Sequence, residues 1–246
     1  MLIQTLLIIC IVLAILIPFS RHEKTVTSHL KAYEEEHVAV YDMLVYDGLK
    51  NENELTFLKP YLSGSVLDVG CGTGHHVHEL QKKGVDAIGM DLSPSMIKYA
   101  RKYPYTFLHG NALNMSFFPQ ESFQVILCMY FTIYYMKHKE TFFQNARHWL
   151  VPGGYLVLHL SKTWNYGPTS TFKGSFLYQS TNRYELITKN GVQTKVEHKI
   201  YMESIDSIVQ LAKRFGFTVE TIYTYPIPYK DQYLYVFKFS DVQSSF

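Results

Sequence analysis

Asp68 stands two places before Gly70, and glycine recurs at Gly72 and Gly74, in the run Val66-Leu67-Asp68-Val69-Gly70-Cys71-Gly72-Thr73-Gly74. Glycine at these places lets the backbone turn sharply and approach a ligand where a Cβ would collide. The helix expected next points its free N–H groups into the same gap. The dinucleotide fingerprint needs a glycine at the sixth position, and here that position is His75. A second carboxylate, Asp91, ends the run Val85-Asp86-Ala87-Ile88-Gly89-Met90, placed where it could take both hydroxyls of a ribose. A nucleoside is the expected ligand, against the competing reading of a structural turn that binds nothing. Further on come Gly110-Asn111-Ala112, the run Phe123-Gln124-Val125-Ile126-Leu127-Cys128, and Leu150-Val151-Pro152-Gly153-Gly154.

Positioning these residues requires alternating strands and helices. Strands are expected near 65–70, 85–91, 105–109, 123–130 and 154–160, with helices near 75–83, 94–103 and 138–149. Ser93-Pro94 reads as the cap and first position of the second helix. The alternation breaks after Leu160. Residues 161–203 read as an inserted substrate cap, in which Asn190-Gly191 between two strand-like runs signals a hairpin. Ile205, Ile208, Val209, Ala212 and Phe215 then form a helical stripe closed by Gly216, followed by strands near 217–225 and 233–239. Before the glycine loop, residues 20–37 read as a polar, helical stalk, with short helices near 38–46 and 51–62.

In motif order, residues 41–239 resemble the class I, seven-β-strand S-adenosylmethionine-dependent methyltransferases, nearest their small-molecule branch. The resemblance implies an α/β, doubly wound, Rossmann-like seven-stranded sheet with helices on both faces and an antiparallel last strand. It implies S-adenosylmethionine as cofactor: Asp68 and the glycine loop at the methionine end, Asp91 at the ribose, Asn111 with Ala112 at the adenine. The expected cofactor contacts are thus Asp68, Gly70, Cys71, Gly72, Gly74, Asp91, Leu92, Asn111, Ala112 and Met129. Asn111 and Gln124 stand where aspartate is usual. An amide oxygen can accept the adenine hydrogen bond, without the charge.

Methyl transfer from a sulfonium needs positioning more than it needs a dedicated residue. A base is needed when the acceptor is protonated. Ligands lie at the carboxyl ends of the strands in such sheets. That selects Met129, Tyr130, Phe131, Tyr134, His159 and, from the cap, Trp164. No catalytic residue is assigned, and His159 is the one candidate for a titrating base, against the reading of a packed or surface histidine. Tyr41, Tyr130, Tyr134 and Trp164 are the residues expected to face substrate, Tyr41 and Tyr46 as lid residues if they do not simply pack on the sheet. The run His75-His76-x-His78 looks metal-like, but its side chains spread around the helix, and no metal is expected. Only His75 and Glu79 share a face in good pairing geometry.

The 246 residues hold one sizeable domain plus an appendage, and 47% hydrophobic content supports a core. A net charge of +2 gives no pull toward nucleic acid. Twenty tyrosines and 16 phenylalanines suit a pocket for an apolar or aromatic acceptor. The cysteines at 10, 71 and 128 read as unpaired, which suits a reducing compartment. From Leu2 to Phe19 no side chain is charged, so a helix of ~27 Å could just span a bilayer. The expected organisation is a transmembrane anchor over 1–20, a polar stalk over 21–37 and a methyltransferase domain over 38–246. Arg21, Lys24 and Lys31 follow the apolar run and none precedes it, which places the domain in the cytosol. The expected function is a membrane-anchored methyltransferase acting on a small, lipophilic or aromatic acceptor. A catalytically silent, membrane-tethered interaction module and a protein methyltransferase remain open beside it.

Overall fold

In a computed structural model, the structure describes Val38, Asp42, residues 46–162, 200–225, 229 and 231–240. It also describes the backbone of strands within 23–26 and 169–197. Strands β2 (Ser65–Val69), β3 (Asp86–Asp91), β4 (Phe107–His109), β5 (Phe123–Cys128), β6 (Leu150–Ser161), β11 (Phe217–Thr224) and β12 (Gln232–Phe239) form a seven-stranded sheet. Its order is β11-β12-β6-β5-β2-β3-β4. The pairings from β4 to β6 are parallel, and β12 runs antiparallel to both β6 and β11. The expected antiparallel last strand is borne out.

The central parallel strands β2 and β5 are buried on both faces, as parallel strands covered by helices must be. Val66, Val125, Leu127 and Val157 pack with Leu55, Leu58, Val77, Leu80 and Ile97 of helices α1 (Gly48–Leu58), α2 (His75–Lys82) and α3 (Pro94–Ala100). The intervening Leu67, Ile126, Leu156 and Leu158 pack with Phe142, Phe143 and Trp149 of α4 (Lys139–Trp149) and with Ile208 and Leu211 of α5 (Ile205–Arg214). This alternation puts Asp68 on the same side as Val66, facing α1 and α2.

Local signals set the helix ends. The Ser93 side chain accepts from the Met96 backbone N–H at 3.2 Å with Pro94 at the first position. Ser204 caps α5 through Ser207 at 3.1 Å. β6 starts earlier than expected, because Leu150 already pairs with Phe123 before an irregularity shifts the register to Val125–Tyr155.

A second, five-stranded sheet has the order β1-β10-β9-β8-β7, from β1 (Glu23–Val26), β7 (Thr169–Lys173), β8 (Phe176–Ser180), β9 (Tyr184–Lys189) and β10 (Val192–Glu197). Strands β9 and β10 pair antiparallel from Lys189 and Val192 onward, as expected of a hairpin, while Asn190 and Gly191 themselves lie outside the described residues. The inserted segment is therefore a β meander, of which one hairpin was expected. Strand β1 corrects the helical reading of the stalk: Glu23–Val26 is extended and pairs in parallel with β10. Thr25 and Val26 are β-branched, and a neighbouring edge supplies the hydrogen bonds that an isolated helix would make internally. Among the described residues no helix is long and apolar enough to cross a membrane. The apolar run at 2–19 lies outside the described residues.

Candidate functional site

The glycine loop hangs from the end of β3: Gly70 and Cys71 donate backbone N–H groups to the Met90 carbonyl, at 2.7 and 3.1 Å. Gly70 sits at φ +71, and a Cβ there would lie 2.5 Å from the Thr132 methyl group. The loop and the segment after β5 thus close on each other at a distance only glycine permits. Gly72 donates to Asp91 Oδ2 at 2.9 Å, and Ser93 donates to Asp91 Oδ1 at 2.8 Å. One carboxylate therefore braces the loop and the start of α3 while bordering the cavity between them.

That cavity is about 350 Å³ and is bordered by Asp91, Leu92, Gly110, Asn111, Ala112, Met96, Tyr130 and Tyr201. The Asn111 side chain accepts from the Leu113 N–H at 2.9 Å. From α4, buried Asn145 donates to the Ala112 carbonyl and Trp149 donates to Met115, each at 2.8 Å, holding the loop from behind. A smaller cavity of about 80 Å³ lies across the glycine loop, bordered by Asp42, Tyr46, Asn51, Asp68, His76, Met129 and Tyr130. Gly70, Gly72 and Tyr130 border both. Tyr130 and Phe131 take positive φ values, 46° and 63°, a conformation uncommon for aromatic residues that recurs at ligand sites.

Both Asp68 carboxylate oxygens are buried without a hydrogen-bond partner. Burial pushes the acid up to about 6, and the Asp91 and Glu54 charges add to that while His76 opposes it. An orphaned buried carboxylate at the wall of a cavity is what an incoming ammonium would satisfy. Since the folded form holds its proton more tightly than the unfolded chain, ionised Asp68 costs stability above pH 6, and the cost fades as pH falls toward 3.8. Asp68→Asn should therefore stabilise the ligand-free protein at about pH 8 by roughly 1–3 kcal/mol. Urea unfolding checks this, and the gain should vanish near pH 4.

Behind the smaller cavity lies a polar cluster sealed in the core. Glu54, fully buried on α1, pairs with the Lys50 ammonium, accepts from Tyr225 Oη at 2.5 Å and meets His76 Nε2 at 2.8 Å. Burial raises a carboxyl, but the Lys50 charge and the His76 bond outweigh it and hold Glu54 well below the usual range. The Lys50 ammonium also lies 3.9 Å from the centre of the Tyr130 ring, whose hydroxyl donates to Asn51. From the N-terminal side, Asp42 accepts from Thr73 Oγ1 at 2.5 Å and meets His75 Nε2 at 2.7 Å and Lys102 at 3.2 Å. Burial works against its charge, yet the His75 and Thr73 bonds hold Asp42 down at about 2. Tyr46 stacks on His75 at 3.7 Å.

Of the residues expected at the cofactor, Asp68, Gly70, Cys71, Gly72, Asp91, Leu92, Asn111, Ala112 and Met129 all border one cavity or the other. Gly74 does not. It caps α2 at φ +85, where a Cβ would meet the Phe107 ring at 2.7 Å, so its role is close packing. Tyr130 borders both cavities as expected. Tyr134 is fully buried, donates to the Ser161 carbonyl at 3.1 Å and borders neither cavity. His159 is fully buried too, packed between a tilted Phe131 ring and a stacked Tyr225 ring, with Nε2 3.1 Å from Gln232 Oε1. Burial and the nearby Lys50 push it well below its usual value, so it is a neutral core histidine, and it borders neither cavity. Tyr41 and Trp164 lie outside the described residues.

The histidine run disperses: His75 goes to Asp42, His76 to Glu54, and His78 stacks on Tyr103 at 4.0 Å. Glu79 meets His78 and Lys82 rather than His75, because Asp42 and Tyr103 already occupy both His75 nitrogens. Gln124 accepts from the Ser65 N–H at 2.6 Å, at the amino ends of β2 and β5, away from both cavities. Sequence reasoning missed Asp42, Asn51 and the Lys50–Glu54 pair. The only signal for the pair was opposite charges four apart on a helix, which more often marks an exposed face.

The family model for a methyltransferase domain matches residues 66–154. Over 138 residues the chain is 30% identical to a dTDP-3-amino-3,4,6-trideoxy-alpha-D-glucopyranose N,N-dimethyltransferase of Streptomyces venezuelae, covering 51% of this chain and 57% of that protein. It is 35% identical over 96 residues to a demethylmenaquinone methyltransferase of Tropheryma whipplei, covering 38% and 40%. The chain thus spans about half the length of these relatives. A solved S-adenosylmethionine-bound amino pentose methyltransferase from Micromonospora echinaspora has the same fold, with TM-score 0.62 at 16% identity, covering 81% of this chain and 94% of that one.

Proposed function

We propose that this chain, which belongs to the class I S-adenosylmethionine-dependent methyltransferases, transfers a methyl group to a small-molecule acceptor. The observation that carries this reading is the meeting of two cavities at one glycine loop, with an unpartnered carboxylate, Asp68, in the smaller and Asp91 in the larger. When bound, S-adenosylmethionine supplies a methyl group already activated on a sulfonium. The larger cavity is suited to the nucleoside: Asp91 keeps acceptor capacity for ribose hydroxyls, and Asn111 and Ala112 border the space for adenine. The smaller cavity, with Asp68 and the loop, is suited to the methionine end. Tyr130, shared by both, borders the point where an acceptor must arrive, and its strained backbone holds the ring there.

A small acceptor is supported by the two relatives, whose names specify an amino sugar and a quinone. Within that class we favour a lipophilic acceptor met at a membrane, with residues 2–19 as the anchor and the domain on the cytosolic side. The support is the uncharged run of 18 residues and the basic residues after it. A tether of this kind raises the effective concentration of lipid-dissolved substrates.

Calorimetry with S-adenosylmethionine and with NAD tests the cofactor, and the reading fails if NAD alone binds. Labelled cofactor offered with a membrane extract tests the acceptor: label should appear in the lipid fraction, and label confined to protein overturns the small-molecule assignment. Resistance to carbonate extraction is expected of the anchor, whereas a mature N-terminus near Ser20 would show a cleaved signal.

A further inference from the structure

His76 is held by one nitrogen and offers the other. Its ring borders the smaller cavity at 5% exposure, and Nε2 lies 2.8 Å from Glu54 Oε2, while no described residue engages Nδ1. The neighbouring histidine cannot substitute, since Asp42 and Tyr103 take both of its nitrogens. The ring stands in the first turn of α2, whose Gly74 cap brings no side-chain acceptor, so the backbone N–H groups of that turn also favour an anion. In the same cavity both Asp68 oxygens are buried and unpartnered. One cavity therefore presents a carboxylate that lacks a cation and an imidazole with a second nitrogen to offer, beside a Glu54 whose charge Lys50 already matches. An α-amino acid head, ammonium and carboxylate on one carbon, answers both.

We propose that His76, oriented by Glu54, is the cation that receives the carboxylate of the cofactor's amino-acid head, opposite Asp68, which receives its ammonium. This rests on the methyltransferase reading and adds to it a pH-dependent selection of the intact cofactor over its headless nucleoside.

The groups around His76 set the direction. From α1 come Glu54 and Lys50, from β2 Asp68, from the end of β5 Tyr130, and from β6 His159, with Tyr225 on the far side of Glu54. Burial pulls His76 down, but the hydrogen bond and charge of Glu54 outweigh it and raise the imidazole above its usual 6.5. Tyr130 is pushed up by burial and stays neutral, and buried His159 is pushed down and stays neutral. Asp42, the other carboxylate of the cavity, is matched by His75 and Lys102. Head binding then needs Asp68 ionised, above about 6, and His76 protonated, below its raised value. Affinity is bell-shaped in pH for a ligand with the head and flat for one without it.

The test is calorimetry on the full chain in detergent, with S-adenosylhomocysteine and with methylthioadenosine, across about pH 5 to 8.5. S-Adenosylhomocysteine affinity should fall about tenfold on each side of its maximum, while methylthioadenosine changes less than about twofold. His76→Gln, which keeps a donor for Glu54, should lose about tenfold for S-adenosylhomocysteine near neutrality, lose the alkaline limb, and bind methylthioadenosine as before. An alkaline limb that persists in this variant belongs to the ligand's own ammonium and overturns the proposal. Parallel loss of both ligands overturns it too, since His76 would then support the whole site. If the unaltered chain binds neither ligand at any pH, the methyltransferase reading itself fails.

Discussion

Asp91→Ala is expected to weaken S-adenosylhomocysteine binding by roughly 2–4 kcal/mol, or ~30- to 1000-fold. Two losses add. The first is the charge-assisted acceptor for the ribose hydroxyls. The second is the brace itself: Gly72 and Ser93 each lose a backbone hydrogen bond, at 2.9 and 2.8 Å, and the loop that both cavities share is freed. Asp86, exposed at the other end of the same strand, provides the control: Asp86→Ala should leave the affinity unchanged. Calorimetry on the three proteins decides the matter, and equal affinities would place the nucleoside elsewhere.

The largest expected loss of stability comes from Glu54→Leu, at about 3–5 kcal/mol. Glu54 is buried beside Lys50, His76 and Tyr225. Removing the carboxylate leaves a buried ammonium unmatched and two donors without an acceptor, which costs far more than the pair itself contributes. Adding Lys50→Met should recover part of the loss, because an apolar pair of similar volume needs no desolvation of charge. Urea unfolding of the two single variants and the double closes the cycle, and an additive double variant would show that the ion pair is not the cause. The same groups predict the acid limb of the unaltered protein. Glu54 and Asp42 are held below their ordinary values, 4.5 and 3.8, so their stabilisation is complete above those values. It drains away as pH falls toward about 2.

The legible parts of this molecule were those with a local cause. Strand positions in the seven-stranded sheet agree within a few residues, because Val66, Leu67, Ile126 and Leu127 belong to short apolar runs bounded by turn residues. Ser93-Pro94 carries its cap chemistry in its own side chain and ring, and the Asn-Gly signal stands between β9 and β10, which pair antiparallel from Lys189 and Val192. The stalk failed for the opposite reason. Glu23–Val26 is extended because β10 pairs with it, and β10 lies about 170 residues further along the chain.

By itself the sequence determined the alternating fold, the glycine loop, and the two carboxylates Asp68 and Asp91 at strand ends where a nucleoside cofactor can meet them. These follow from period, spacing and turn chemistry within short windows. Only the tertiary structure decided which ionisable groups meet. His76 finds Glu54 across 22 residues, Tyr225 finds the same carboxylate across 171, and His159 is sealed between Phe131 and Tyr225 rather than presented to a substrate. A side chain's charge and basicity depend on what surrounds it in space. No local pattern in the chain records that α1 would carry Lys50 and Glu54 into the core beside the glycine loop.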